Sequence, residues 1–483
     1  MHPFVILRLL GLLLMIFSTT MLPPALVGLL MGDDNVLPFL YGFAAILITG
    51  LLIWLPFKEA KKDLRIRDGF VVVVMFWVAL GYAGAVPLYL SPDIDLSLID
   101  AVFESISGLT TTGATVIIGL DNLPYSILFY RQELQWLGGM GIIVLAIAIM
   151  PMLGIGGMQL YRAETPGPIK DNKLTPRIAE TAKALWYIYL GLTVSCAIAY
   201  WLAGMSAFDA ISHSFSTVAI GGFSTHDESM GYFNSPLIES VAIVFMLLAG
   251  MNFALHFVAW NRRSILGYFQ DSEVRLYLLI LATAGAVTTG FLYMTQHFEN
   301  FGADLHHGLF QTVSIGTTTG FTTAAYHTWP GFLPVMLLFL SFIGGCAGST
   351  AGGMKVIRFL LLIKQGLREI TRLVHPNATV VVKVGKSPMP DRVLEAVWGF
   401  FAAYVGVFVV MMLMLMASGL DQITAFSAVA ASLNNLGPGL GDVGNNYATL
   451  NDFAKWVLTF AMLLGRLEIF PMLILLSPVF WRR

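Results

Sequence analysis

A fourteen-residue pattern returns four times in this chain, and each copy closes on a glycine. The copies are DAVFESISGLTTTG (Asp100–Gly113), DAISHSFSTVAIGG (Asp209–Gly222), HGLFQTVSIGTTTG (His307–Gly320) and TAFSAVAASLNNLG (Thr424–Gly437). Their closing glycines lie 109, 98 and 117 residues apart, and each copy sits between two long apolar segments. A re-entrant segment of about ten residues is too short to span a bilayer. Irregular backbone at membrane depth is tolerated only where protein buries it or a water-filled cavity solvates it. Four copies of helix, short re-entrant segment, glycine-bearing loop and helix therefore predict a pseudo-fourfold pore. A ring of ligands around one axis is what a conducted cation needs.

Composition agrees with a membrane reading. Apolar residues are 57% of the 483 and charged residues only 12%, whereas soluble domains carry about 25% charged residues. Ten spans are expected, at about 5–30, 36–56, 69–90, 125–155, 181–204, 236–260, 275–296, 331–363, 394–418 and 453–480. The apolar start reads as a span and not as a signal peptide, being too long and lacking a small-residue cleavage site. The expected fold class is an all-α polytopic membrane protein of four helix–pore loop–helix repeats, preceded by two extra transmembrane helices. Its units would be an N-terminal hairpin (1–67), pore repeats one (68–175) and two (176–270), pore repeat three with an intramembrane gate loop (271–390), and pore repeat four (391–483). Cys196 and Cys346 lie in apolar stretches and read as small packing residues rather than a disulfide or metal site.

The charges predict an orientation. Basic residues gather in 58–67, 162–183, 262–275, 355–392 and 482–483, which together hold 23 of the 27 Lys and Arg. By the positive-inside rule these stretches and both termini face the cytoplasm. The opposite loops are acidic, from Asp33 to Asp452, against Arg131 and Lys455. An acidic outer mouth concentrates cations by field focusing.

Acidic residues also stand near the starts of the re-entrant helices. Asp100 and Asp209 occupy possible N-cap positions, while Asp304 and Asp421 come three residues earlier in their copies. Helices so arranged aim partially negative C-terminal ends, about half a charge each, at one point. The loops that follow are Thr110-Thr111-Thr112-Gly113, Ala219-Ile220-Gly221-Gly222, Thr317-Thr318-Thr319-Gly320 and Asn434-Asn435-Leu436-Gly437. Side chains differ but the glycine persists, as expected if backbone carbonyls are the ligands. Carbonyls can replace the hydration shell of potassium. For one copy, Thr and Gly that merely back-bond or permit close packing would be the simpler account. Four copies at matching depth favour a filter, with potassium bound there and no other metal.

On these motifs the chain resembles the potassium-uptake superfamily that includes bacterial Trk and Ktr and plant HKT transporters. The resemblance runs nearly end to end, and the two extra leading spans bring it nearest the Trk membrane subunit. It implies carbonyl coordination of potassium at the sixteen loop residues named above, residence in the bacterial inner membrane, a homodimer, and a cytosolic TrkA-like nucleotide-binding regulatory subunit. The Asn434, Asn435 copy, with its Gly437-Pro438-Gly439 run, departs most from Thr-Gly. In plant relatives serine at the first filter glycine accompanies sodium transport, so Gly113→Ser is expected to narrow the potassium preference.

A gate is expected below the filter. Gly344, Gly345, Gly348, Gly352 and Gly353 crowd one short stretch of a helix expected from about 331 to 373. Each costs up to ~1 kcal/mol in a helix relative to Ala, so an unwound loop fits better than a small-residue packing face. Met140, Met251, Cys346 and Arg466 fall at similar distances beyond the four filter glycines. One repeat thus sets a cation where another sets the loop. An intramembrane arginine is functional by default, and Arg466 is expected to bond loop carbonyls. A structural pair with Glu468 is the weaker reading, because residues two apart on a helix do not face each other. The resemblance implies the same gate, so Arg466→Ala or deletion of 345–353 is expected to raise conductance without changing selectivity.

The other candidates are weaker. His213 and His307 read as caps or packing residues; His226, with Asp227 and Glu228, reads as a solvated loop able to attract cations. The histidines show no HExxH or similar ligand spacing. The longest cytoplasmic stretch, about 364–391, is too short for a nucleotide-binding domain, so regulation would come from a separate chain. The basic loops, especially 358–392, would dock that chain or touch anionic lipid. No cofactor and no nucleic-acid partner are expected. A symporter coupling potassium to protons or sodium is the alternative, with Glu104 as the carboxylate nearest the filter. A membrane enzyme would need clustered acid–base or metal residues facing one leaflet, and the sequence pattern predicts none.

Overall fold

The computed structural model describes residues 2–33, 35–60, 66–144, 178–385 and 387–482. Most of the basic stretch expected at 162–183, the end of the span 125–155 and the unit boundary at 175 lie outside these residues.

Among the described residues, six helices are long and apolar enough to cross a membrane: Pro3–Met31, Val36–Phe57, Arg67–Leu90, Ala182–Leu202, Ser272–Thr295 and Asp391–Ala417. The first two form the leading hairpin. They approach so closely that a Cβ on Gly11 would lie 2.7 Å from the Gly50 carbonyl oxygen. Without a hydrophobic drive between helices in lipid, such backbone proximity is what holds a pair together. The remaining four are the outer helices of the repeats.

Each outer helix is followed by a short pore helix: Leu98–Leu109, Ala207–Ala219, Phe301–Gly316 and Gln422–Leu433. Their caps differ from expectation. Ser97 and Ser206 are the N-caps of the first two, and Asp100 and Asp209 sit three residues on. Each serine Oγ accepts the aspartate N–H, at 3.2 and 3.0 Å, and donates to its carboxylate at 2.7 Å. The reciprocal arrangement satisfies an orphan N–H and still places acid at the positive helix end. Asn300 caps the third helix through Ala303 N at 2.9 Å, leaving Asp304 buried in its first turn. Asp421 caps the fourth through Ile423 N and Thr424 N.

The helices after the glycine-closed loops depart from the unbroken spans expected at 236–260 and 453–480, while the break expected within 331–363 is present. Pro236–Ala249 and Phe253–Arg262 meet at 95°, and Asp452–Arg466 and Phe470–Leu476 at 118°. Asn252 starts the second half of one by accepting Ala254 N at 2.8 Å. In the other, Glu468 and Ile469 take left-handed φ of 56° and 60° just before Pro471, which cannot continue a helix. Between them in the chain, Leu333–Ile343 ends at Gly344, and Val356–Val374 begins only after an irregular loop. Only Tyr125–Val144 runs unbroken past the shared depth, through Met140. Among the described residues, a two-residue antiparallel ladder, Lys383–Val384 with Ser387–Pro388, is the only strand pairing. Cys196 and Cys346 are buried free thiols, as packing residues should be.

Candidate functional site

All four pore helices end identically. The N–H of Thr112, Gly221, Thr319 and Leu436 reaches the carbonyl five residues back, at 2.8, 2.8, 2.8 and 2.7 Å. The N–H of Thr111, Ile220, Thr318 and Asn435 reaches three back, at 2.9, 3.1, 2.9 and 3.2 Å. This is a Schellman termination. Its left-handed residue is Thr111, Ile220, Thr318 or Asn435, with φ of 49°, 55°, 66° and 52°. Non-glycine residues in that region cost roughly 1–3 kcal/mol and persist only where their surroundings over-determine them.

The surroundings are the other copies. A Cβ on Gly113 would stand 2.1 Å from Gly221 O, on Gly222 2.0 Å from Thr319 O, on Gly320 2.1 Å from Leu436 O, and on Gly437 2.7 Å from Thr112 O. Each closing glycine thus faces the carbonyl preceding the glycine of the next copy, and the fourth returns to the first. The four glycines also line one cavity of about 90 Å³, with Thr115, Arg131, Ser224 and Tyr447 above them. That exceeds the roughly 10–15 Å³ needed to hold one water. The four predicted loops are therefore brought together in cyclic order, with their closing glycines around a single space.

Side chains support this ring unequally. Thr110 and Thr112 hydroxyls pair at 2.8 Å, and Thr317 and Thr319 at 2.7 Å. Asn435 Nδ2 donates to Thr112 Oγ1 at 2.9 Å, stitching copy four to copy one. Gln135 donates to Gly221 O at 2.6 Å and accepts Phe223 N at 3.1 Å; Tyr447 donates to Gly437 O at 2.7 Å. The Tyr404 phenol donates to Asn434 Oδ1. Sequence reasoning passed over Gln135, Tyr404 and Tyr447; the polar run Arg131-Gln132-Glu133 with Gln135, inside an apolar span, is the signal that could have found Gln135. Glu104 is buried and bound by Arg131 Nε at 2.8 Å, Thr115 Oγ1 at 3.0 Å and Val116 N at 2.9 Å. Arg131 also donates to Ser224 O at 3.0 Å. Both carboxylate oxygens serve as braces between loops.

Above the ring, Lys455 pairs with Asp100 at 2.6 Å. His226 Nδ1 lies 2.5 Å from Asp121, its Nε2 lies 3.4 Å from Asp209, and its ring stacks on Tyr232. Burial alone would lower the His226 pKa, but the bonds to Asp209 and Asp121 outweigh it and hold the ring above the ordinary histidine value. The loop is braced rather than merely solvated. His213 lies buried between Asp209 O and Ser224 Oγ, a packing role.

Below the ring, the predicted gate residues Gly344, Gly345, Gly348, Gly352 and Gly353 all fall in the irregular segment 344–355. It bonds to every repeat it meets. Thr350 Oγ1 donates to Val218 O at 3.0 Å, Gly352 N to Thr318 Oγ1 at 2.7 Å, and Gly353 N to Asn434 O at 3.1 Å. Cys346 N donates to Gly250 O at 2.8 Å, and Phe253 N to Gly348 O at 3.0 Å, so the bend in repeat two cradles the loop. A Cβ on Gly352 would lie 1.9 Å from Asn434 O, which leaves glycine as the residue that fits. Buried Glu273 accepts Ala347 N at 2.7 Å and Ile357 N at 3.2 Å, a support that sequence reasoning missed.

Arg466 completes the circuit. Its Nε donates to Thr110 O at 2.8 Å and its Nη1 to Thr350 O at 3.3 Å. It therefore joins the first glycine-closed loop to the irregular segment 344–355. Glu468 does not pair with it; that carboxylate meets Arg358 Nη2 at 2.7 Å, and Arg358 lies over the Phe400 ring.

The family described as "TrkH: Cation transport protein" matches residues 37–482. The chain is 60% identical over 481 residues to the Trk system potassium uptake protein TrkH of Vibrio parahaemolyticus, covering 99% of both chains. It is 54% identical over 482 residues to the Escherichia coli K12 protein of that name, covering 100% of both. It is 44% identical over 481 residues to the E. coli K12 Trk system potassium uptake protein TrkG, covering 100% of this chain and 99% of that one. The crystal structure of the potassium transporter TrkH from V. parahaemolyticus superposes with a TM-score of 0.93 at 57% identity over 100% of both chains.

Proposed function

The chain belongs to the TrkH family of cation transport proteins, and from that premise we propose that it takes up potassium through the glycine ring. The reading rests above all on the cyclic contact of the four closing glycines around one cavity. Four helix C-terminal ends aimed there favour a cation and repel an anion. Backbone oxygens held by Schellman turns and side-chain braces need not reorganise as an ion sheds water, which is how a filter selects. Inward flux then follows the membrane potential, worth about 2.3 kcal/mol per charge per 100 mV.

The segment 344–355 acts as the gate in this reading. Bonded beneath the filter to repeats two, three and four, and through Arg466 to repeat one, it blocks the inward path. Opening requires these hydrogen bonds to be exchanged for water or for a moved partner. A cytosolic TrkA-like nucleotide-binding subunit docked on the basic segment 358–392 would supply that push, with two copies of this chain pairing in the inner membrane and both termini cytoplasmic. A titratable coupling site is poorly served by Glu104, whose oxygens are already committed to Arg131, Thr115 and Val116.

The test is flux in liposomes holding the purified protein under an imposed voltage, with sodium and rubidium as competitors. Potassium or rubidium flux that halts at electrochemical equilibrium, blocked poorly by sodium, is the expected result. Potassium accumulation that requires a proton or sodium gradient would overturn the channel-like reading in favour of symport.

A further inference from the structure

Away from the conduction path, three metal-capable side chains converge between repeats two and three. Glu239 lies in the first turn of Pro236–Ala249, and His306 and His307 in the pore helix Phe301–Gly316. One ligand atom from each lies within 4.8 Å of the other two. His306 Nε2 approaches Glu239 Oε2 to 3.1 Å, yet neither atom makes a well-directed hydrogen bond. Glu239 is only 2% exposed, so its unbonded oxygen is costly unless a cation shares it. His307 Nδ1 lies 3.0 Å from Thr323 Oγ1. With that nitrogen donating to the threonine, Nε2 keeps its lone pair, the arrangement by which an outer partner orients a ligating imidazole.

The plainer account is an ion pair between His306 and Glu239 with His307 as a bystander. It accounts for one approach but not for the third ligand atom or for the missing hydrogen-bond geometry. Two imidazoles and a carboxylate are a donor set for borderline divalent ions, with nitrogen and oxygen bonds of about 2.0–2.2 Å. Ligand atoms around such an ion sit roughly 3–3.5 Å apart in a tetrahedron, within reach of small side-chain rotations. The helix starts here belong to the end opposite the basic segments, and His306 keeps 22% side-chain exposure, so an ion could enter from outside.

We propose that Glu239, His306 and His307 form an external site for a divalent transition-metal ion of the zinc and nickel class, with water as fourth ligand. Such an ion ties the inner helix of repeat two to the third pore helix. Through His307 and Thr323 it also reaches the segment three residues beyond Gly320.

Tag-free full-length protein in detergent, titrated calorimetrically with Zn²⁺ in chelator-free buffer, tests this. One ion per chain is expected at this site. Glu239→Gln and His306→Ala should each weaken it by at least about tenfold, and Thr323→Val by about tenfold through the lost outer partner. His226→Ala, which alters a separate histidine at the mouth, should leave that binding step unchanged. Co²⁺ added to the unaltered protein should give the intense visible bands of a four-coordinate ion, abolished by Zn²⁺, which requires no variant to fold. Isotherms unchanged in Glu239→Gln and His306→Ala overturn the site, as does a wild type that takes up no Zn²⁺ or leaves Co²⁺ with the spectrum of its aqua ion.

Discussion

The four glycine-closed loops proposed as the filter and the segment 344–355 proposed as the gate are both breaks between helices, yet they are held in opposite ways. Each filter loop is fixed first by its own pore helix through the same two backbone bonds, and then by contact with the next copy. The irregular loop exists once, and besides Thr318 and Glu273 of its own repeat it is held by bonds to residues of other repeats: Val218, Asn434, Gly250 and Arg466. A ring of four locally terminated helices resists displacement because moving one glycine collides with a neighbouring carbonyl. A loop held by scattered single bonds can leave when those bonds are replaced. In the proposed function, repetition keeps the ring in place and the single loop is the part that moves.

That contrast can be broken most severely in the ring. Gly222→Ala sets a methyl 2.0 Å from Thr319 O at φ 78°. Overpacking of this kind costs about 1–3 kcal/mol, or roughly five- to 150-fold, and the potassium-over-sodium ratio in competitive rubidium uptake should fall by a factor in that range. Gly113→Ser, facing Gly221 O at 2.1 Å, should act in the same direction. Unchanged selectivity in both would mean that the ring is not the filter.

Arg466→Ala tests the other side. Bonds from charged donors contribute about 1.5–3 kcal/mol each, so losing those to Thr110 O and Thr350 O should raise open probability in single-channel recordings at least about tenfold. The ion preference should stay as it was; currents no larger than wild type would detach the loop from gating. Thr350→Val removes one neutral bond, to Val218 O, worth about 1 kcal/mol. Its flux should rise by about fivefold, and a rise as large as that of Arg466→Ala would show that the loop is less evenly held than argued.

The smallest effect concerns the outer mouth. Asp209 and Asp121 hold the His226 pKa above its ordinary value, so protonated His226 braces the loop. That stabilisation is fully present below the ordinary histidine pKa and is lost as pH rises through the raised folded value. Melting temperature should therefore drop slightly across that interval in the wild type and stay flatter in His226→Ala. Identical pH profiles would assign the brace to stacking on Tyr232 instead.

The fold was legible where the signal was local. Apolar runs, the fourfold pattern and the glycine cluster at 344–353 are properties of neighbouring residues, and the helices, pore segments and irregular loop fall where they indicate. Reading failed where a nearby residue competed for a role. Ser97 and Ser206 took the caps expected of Asp100 and Asp209, because a hydroxyl there can both accept the N–H and donate to the acid. The unbroken spans at 236–260 and 453–480 misled because Asn252 and the pair Glu468-Ile469 break segments whose apolar runs continue on both sides. His307 read as packing because its companions, His306 aside, include a glutamate far upstream.

The sequence by itself determined that four short helices end in glycine-closed loops at one membrane depth, since periodicity and chain length decide what can cross a bilayer. Only the tertiary structure decided that Gly437 meets Thr112, that Arg466 joins Thr110 to Thr350, and that Glu468 belongs to Arg358. Hydrogen bonds and steric contacts act over a few ångströms of space, and residues more than a hundred positions apart become neighbours only when the chain has folded around its axis.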